Sequence, residues 1–258
     1  MMPVRNRADL LAPAMRSVLA QTEPDFELVV VDDGSTDDSY RVAQRIAAED
    51  ERVVVLRNPV GRGIPVARNQ VLAVARGRYL AICDSDDLSR PGRFAAQKRM
   101  LDADPGLVGV GVRIEAFSSN RPEDGVEPDW HWGLLDGRLP FAFCGAMLRL
   151  AAVRDVGGYD EGYPVAEDLQ LAYRLAGVGA RFGVVDEVLV DYRLHPGSTT
   201  TQFDRKRQWY VLRAQLRGLR ELDGRLSPRG YAVIGQTGLR LTAALLPRRP
   251  RTGEPGTQ

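Results

Sequence analysis

Two short apolar runs that stop abruptly in carboxylates constrain this chain more than any other feature. Ala81-Ile82-Cys83 runs into Asp84-Ser85-Asp86-Asp87, three carboxylates in four positions. A buried strand cannot hold so much unpaired charge, so these groups are expected where the strand ends and solvent begins. Upstream, Leu28-Val29-Val30-Val31 runs into Asp32-Asp33-Gly34-Ser35-Thr36-Asp37, with the glycine and hydroxyl residues that suit a tight turn and a helix cap. Two strands therefore deliver carboxylates to what reads as one sheet edge, and in open α/β sheets ligands bind outside the carboxyl ends of the strands. In extended backbone Asp84 and Asp86 point the same way and can converge on one divalent cation. Hard oxygen donors of this kind favour Mg²⁺ or Mn²⁺. The alternative for the motif taken alone is that Asp84 caps the following turn while Asp86 and Asp87 are solvated.

The pattern around these runs alternates between strand and helix. Helical spacing of apolar residues marks 8–19, 38–48 with Thr36 or Asp37 as cap, and 65–75 with Pro65 in its first turn; strands are expected at 1–4, 27–31, 52–56 and 79–83. That rhythm implies βαβ units and a mostly parallel sheet flanked by helices. Beyond residue 100 the rhythm changes. A strand is expected at 107–117, a Pro- and acid-rich loop at 118–132, a helix at 167–175, two short strands at 181–185 and 188–192, and a charged helix at 204–222. The segment 228–246 reads as a last helix, followed by a Pro- and Arg-rich tail expected to be disordered.

With 258 residues, 44% hydrophobic and 27% charged, the chain has the make-up of a globular protein with one large domain. A formal net charge of +1 gives no electrostatic case for nucleic acid. Cys83 and Cys144 sit in apolar surroundings without metal-site spacing, which favours free thiols in a reducing compartment. Residues 1–10 lack the apolar stretch of a signal peptide, and no run approaches the roughly 20 residues of a membrane span. A cytoplasmic location is the expectation.

Taken together, several blocks resemble the family-two glycosyltransferases, the inverting nucleotide-diphospho-sugar transferases of the GT-A fold, over residues 3–200. The blocks are Met2-Pro3-Val4-Arg5-Asn6-Arg7, Val31 to Asp37, Ala67-Arg68-Asn69, Asp84-Ser85-Asp86-Asp87, Gly157-Gly158-Tyr159-Asp160, Glu167-Asp168, and Tyr192-Arg193-Leu194-His195-Pro196-Gly197-Ser198. The resemblance implies a donor such as a UDP-, GDP- or dTDP-sugar and a carbohydrate or lipid-linked acceptor, in polysaccharide, glycolipid or natural-product synthesis. It also assigns roles. Asp86, with Asp84 and His195, would hold the metal ion; Pro3, Arg5, Asp32, Asp33, Arg68, Asp84 and Ser85 would bind the nucleotide sugar. Asp168 would be the base that deprotonates the acceptor. Residues 1–100 would form the nucleotide-binding part, 101–200 the acceptor-binding part, and 201–258 a helical extension. Trp130, His131 and Trp132 could stack on a sugar ring, or simply pack together. The chain departs from the family pattern in one place: only Met1 and Met2 precede Pro3, so the first strand is expected to be very short, and Arg5 stands where an aromatic is often found.

Competing readings are weaker. A catalytically inactive sugar-nucleotide-binding protein would keep Asp86 and lose the base, yet Glu167-Asp168 is present. A nucleotidyltransferase would need a glycine-rich phosphate loop at the start, and a calcium loop would need a glycine at its sixth position. The C-terminal segment leaves two readings open. Its apolar residues and Arg248, Arg249 and Arg251 could rest peripherally on an anionic membrane, or the helix could pack on the catalytic domain.

Overall fold

The computed structural model describes residues 1–118, 139–194 and 205–245. The loop at 119–138 with its Trp-His-Trp cluster, His195 and the residues up to 204, and the tail beyond 245 lie outside the described residues. Three strands open the chain, β1 (Met2–Val4), β2 (Leu28–Asp33) and β3 (Val53–Asn58), and pair in parallel. They are linked by α1 (Ala8–Leu19) and α2 (Ser39–Glu49), and α3 (Ile64–Val74) leads to β4 (Tyr79–Ala81). A second sheet orders β4-β7-β6-β8-β5, in which β6 (Leu107–Ser118) runs parallel to β8 (Arg181–Leu194). In it β7 (Met147–Arg149) and β5 (Leu88–Ser89) pair antiparallel to their neighbours.

The two sheets meet at Met1. Its amino nitrogen donates to the Ala81 carbonyl at 2.9 Å, and its own carbonyl accepts from Cys83 N–H at 3.0 Å. That is the bonding of a parallel bridge across Ile82. β4 thus extends the first sheet, giving a parallel run in the order 3-2-1-4, the doubly wound order whose switch point falls between β1 and β4. Parallel pairing therefore dominates the nucleotide-side half, and the far half is mixed. The remaining helices are α4 (Arg93–Ala103), α5 (Leu150–Asp155), α6 (Glu167–Gly177), α7 (Arg205–Glu221) and α8 (Pro228–Leu245).

Burial on both faces of the parallel strands explains their composition. All six residues of β2 are buried, with Leu28 and Val30 packing on α1 and α2 while Val29 and Val31 pack toward α3. Alternate side chains thus feed two separate cores. Close packing also decides two glycines. A Cβ at Gly111 would lie 2.3 Å from Phe141, and one at Gly34, where φ is +69°, would meet the backbone of Val60 and Gly61 at 2.4–2.9 Å. The second contact seats the turn after β2 against the loop before α3.

Three expectations are refined. Residues 181–185 and 188–192 form one strand with irregular pairing near Val185 and Val188. The 93–103 helix escaped the apolar pattern because Arg93 and Gln97 occupy its buried face. The last helix packs on α7 and buries Ile234 and Thr237, and among the described residues no helix is long and apolar enough to cross a membrane.

Candidate active site

A cleft of about 540 Å³ opens at the switch point between the ends of β1 and β4. Its walls include Pro3 in β1 with Arg5 and Arg7 just after it, Asp33 at the end of β2, Asp84 to Asp87 after β4, and Glu167 and Asp168 at the start of α6. The carboxylates of β2 and β4 therefore do share an edge, but they do different things. Asp32 is fully buried and absent from the cleft wall; its Oδ1 accepts from Ser35 N–H at 3.2 Å, so it shapes the turn. Asp33 accepts from Arg62 N–H at 2.9 Å, from Gly63 N–H at 2.8 Å and from Asn58 Nδ2 at 2.8 Å. It holds the loop that ends in Gly63, at the start of α3, and still borders the cleft. Asp37, expected as a helix cap, accepts from Ser39 N–H at 2.9 Å and also ties α1 to α2 through Ala8 N–H at 3.0 Å.

Beneath the acidic loop lies a cation that the sequence pattern did not reveal. Arg93 is fully buried and donates to the carbonyls of Ile82 at 2.6 Å and Ala146 at 3.2 Å and to Ser89 Oγ at 2.9 Å. It satisfies carbonyls at the junction of β4 and β7 and places positive charge under Asp84. Asp86 accepts from Arg7 Nε at 3.3 Å. Asp87 turns inward and accepts from Arg193 N–H at 2.8 Å. Burial, then the charge of Asp84, pushes the Asp87 carboxyl up to about 8. Asp84 is also held above the usual range, by burial first and then by Asp86 and Asp168, against the opposing pull of Arg68. Cys83 and Cys144 are free thiols, and burial pushes Cys144, which touches Asp87, upward.

Arg68 is the hub between the acidic loop and α6. Its Nη1 donates to Glu167 Oε1 at 2.8 Å, its Nη2 stands 3.8 Å from Asp84 Oδ1, and its guanidinium lies 5.2 Å from the centre of the Tyr159 ring. Burial is the largest influence and would lower the guanidinium, yet Glu167, Tyr159, Asp84 and Asp168 together outweigh it and hold Arg68 firmly charged. Glu167 is pushed up to about 7 because burial exceeds the opposing effect of Arg68. Of the adjacent acids, Glu167 is thus consumed by an internal ion pair, whereas Asp168 is half-buried and faces the cleft. Ala166, immediately before them, adopts φ 61° and ψ 25°, a left-handed conformation that a non-glycine residue holds only at a cost of order 1–3 kcal/mol. That conformation immediately precedes α6, whose first two residues are the two carboxylates. His195, expected near the metal, lies outside the described residues, and among the described residues no ready-made cluster of three metal ligands is found.

Parallel strands in 3-2-1-4 order with an acidic loop at the switch point define a GT-A type α/β domain. A solved structure shares this fold: the mannosyltransferase PcManGT from Pyrobaculum calidifontis, in complex with GDP-Man and Mn²⁺, matches with a TM-score of 0.70 at 21% identity, over 95% of this chain and 73% of that one. The sequence profile of glycosyl transferase family 2 matches residues 1–141, and the chain belongs to that family. The UDP-Glc:alpha-D-GlcNAc-diphosphoundecaprenol beta-1,3-glucosyltransferase WfaP of Escherichia coli is 38% identical over 203 residues, 76% of this chain and 76% of that protein. The uncharacterized protein y4gI of Sinorhizobium fredii is 30% identical over 238 residues, which is 87% of this chain but 25% of the relative. Three further relatives are also longer than their match, which covers 58%, 39% and 57% of their lengths.

Proposed function

We propose that this protein transfers a sugar from a nucleoside diphosphate donor to an acceptor hydroxyl with inversion, in the synthesis of a cell-surface polysaccharide or related glycan. The observation that carries the reading is the meeting of Asp84, Asp86 and Asp168 in one cleft at the switch point. The names of the relatives support both UDP- and GDP-linked donors and, through WfaP, a lipid-linked acceptor.

In this reading the acceptor hydroxyl gives its proton to an Asp168 carboxylate oxygen. The freed oxygen attacks the anomeric carbon from the face opposite the diphosphate. As the new C–O bond forms, the bond to the donor phosphate oxygen breaks, and the electron pair leaves with the nucleoside diphosphate. One displacement of this kind inverts the centre. Asp84 and Asp86 offer hard oxygen donors at the spacing and in the surplus of negative charge that suit Mg²⁺ or Mn²⁺; a bound ion would neutralise the departing diphosphate. Arg5, Arg7 and Arg193 lie close enough to supplement that charge, and Pro3 and Asp33 border the side where the base and ribose would sit. Arg68 acts from behind, by orienting Glu167 and Asp84, so the nucleotide contact expected for it is better described as support. Residues 1–100 then serve the donor and 101–200 the acceptor. The two free cysteines fit a reducing, cytoplasmic setting. Exposed Tyr231 and Leu239 on α8 support peripheral contact of the C-terminal segment with an anionic bilayer.

Thermal stabilisation by a panel of nucleoside diphosphates and their sugars, with and without Mn²⁺, tests the reading. A ligand at a hundred times its Kd should stabilise by about 2.7 kcal/mol. Failure of every UDP, GDP and dTDP compound to raise Tm with Mn²⁺ present would exclude it.

A further inference from the structure

Five arginines line the cleft, and three of them are engaged in polar contacts. Arg7 pairs with Asp86, Arg68 with Glu167, and Arg193 donates through Nε to the Asp86 carbonyl at 2.9 Å, while Arg5, just after β1, lies along Gly61 on the other side of the cleft from α6. The fifth, Arg207, projects from α7, is half-buried, and has no hydrogen-bond or ion-pair partner among the described residues. It does not belong to the donor side. α7 packs along α6, and Arg207 and Val211 share a wall with Pro164, Val165 and Asp168. That wall carries the group assigned above to the acceptor hydroxyl.

A half-buried guanidinium loses part of its hydration, and the loss is recovered only when an anion or an acceptor-rich group meets it. The carboxylates nearest to the reaction path, Asp84, Asp86 and Asp168, would repel an anionic acceptor. Arg207 is the one cation on this wall left uncommitted by the described residues, and it would offset that repulsion. Its planar fork matches the oxygens of a phosphate. We infer that Arg207 recognises a phosphate or diphosphate group of the acceptor, so that the acceptor is an anionic phosphate ester and not a neutral sugar alone. The inference rests on the transferase reading and names the acceptor chemistry within it. It also makes α7, in the segment read from sequence as an extension, part of the acceptor subsite.

Phosphate on an acceptor comes from a lipid diphosphate or from a polyol-phosphate polymer, and two probes separate them. Octyl diphosphate and glycerol 3-phosphate are titrated calorimetrically into the full chain saturated with Mn²⁺ and its preferred nucleoside diphosphate, with octyl glucoside as the neutral control. At least one phosphate probe should bind, and Arg207→Gln should weaken it tenfold or more while Arg207→Lys restores part of the loss. Nucleotide affinity should stay within twofold in both variants, and their melting curves should match the parent's. Preference for octyl diphosphate indicates the lipid source, and preference for glycerol 3-phosphate the polymer source. Equal binding of phosphate probes and octyl glucoside, or unchanged phosphate binding in Arg207→Gln, overturns the inference. With nucleotide binding intact that result leaves the transferase reading standing, whereas loss of nucleotide binding by the unmodified chain sinks the reading itself.

Discussion

Arg68→Leu tests whether the buried pair with Glu167 organises the site. The substitution roughly keeps the aliphatic stem but strands Glu167, whose side chain is 8% exposed, without the guanidinium 2.8 Å away. Removing one partner of a buried pair costs roughly 3–5 kcal/mol, because the other charge is left uncompensated. Protonation caps that cost, so it must depend on pH. In the parent protein burial already lifts Glu167 from 4.5 to about 7. The folded state therefore binds more protons than the unfolded one between those values, and the group's contribution to stability declines as pH rises through that window. Without Arg68 the folded value moves higher still and the window extends above pH 7. The deficit of the variant should then be small near pH 6 and grow by up to about 1.4 kcal/mol per pH unit above pH 7. Near pH 9 a loss of about 3 kcal/mol corresponds to a Tm lowered by about 10 °C for a chain of this size. Denaturant titrations at pH 6 and pH 9, with the Arg68→Leu/Glu167→Gln double variant alongside, measure this directly. The double variant should be the more stable of the two at pH 9. A deficit below about 1 kcal/mol at pH 9, or one equal at both pH values, would refute the argument.

Asp168→Asn should leave nucleotide binding nearly unchanged and reduce transfer by roughly 10²- to 10⁴-fold; retention of a tenth of the parent turnover would shift the role of base to another group. Nucleoside diphosphates should bind weakly in EDTA and tightly with Mn²⁺, and Asp86→Ala should abolish the difference, so equal calorimetric affinity in the two media for the parent protein counts against a metal between Asp84 and Asp86. Sedimentation with anionic vesicles at low salt should carry the full chain into the pellet and leave a chain ending at Ser227 in the supernatant; a full chain that also stays in solution removes the C-terminal segment from the membrane contact.

Local pattern was enough where the physics is local. The helix expected at 8–19 is Ala8–Leu19, and both acid-bearing strands end within two residues of where their apolar runs stop, β2 continuing through Asp33 and β4 ending at Ala81, because burial and turn chemistry are both written along the chain. Asp84, Asp86 and Asp168, singled out by the family blocks, line one cleft in the fold. What the linear pattern could not carry was the division of labour among like residues. Asp32 and Asp33 are adjacent and identical in type, yet alternation along β2 sends one beneath the turn and the other to the cleft. Glu167 and Asp168 differ because Arg68, 99 positions away from Glu167 in sequence, reaches only the first. Arg93 disappeared into a helix whose buried face is half polar, a placement that makes sense only once the ends of β4 and β7 bring two carbonyls to it. Position 207 reads as one more charge on a basic helix, and only the packing of α7 on α6 turns it toward the cleft. Strand ends and their acids follow from short-range burial and turn preferences, whereas which acid is paired, buried or presented depends on charges and carbonyls delivered by distant segments.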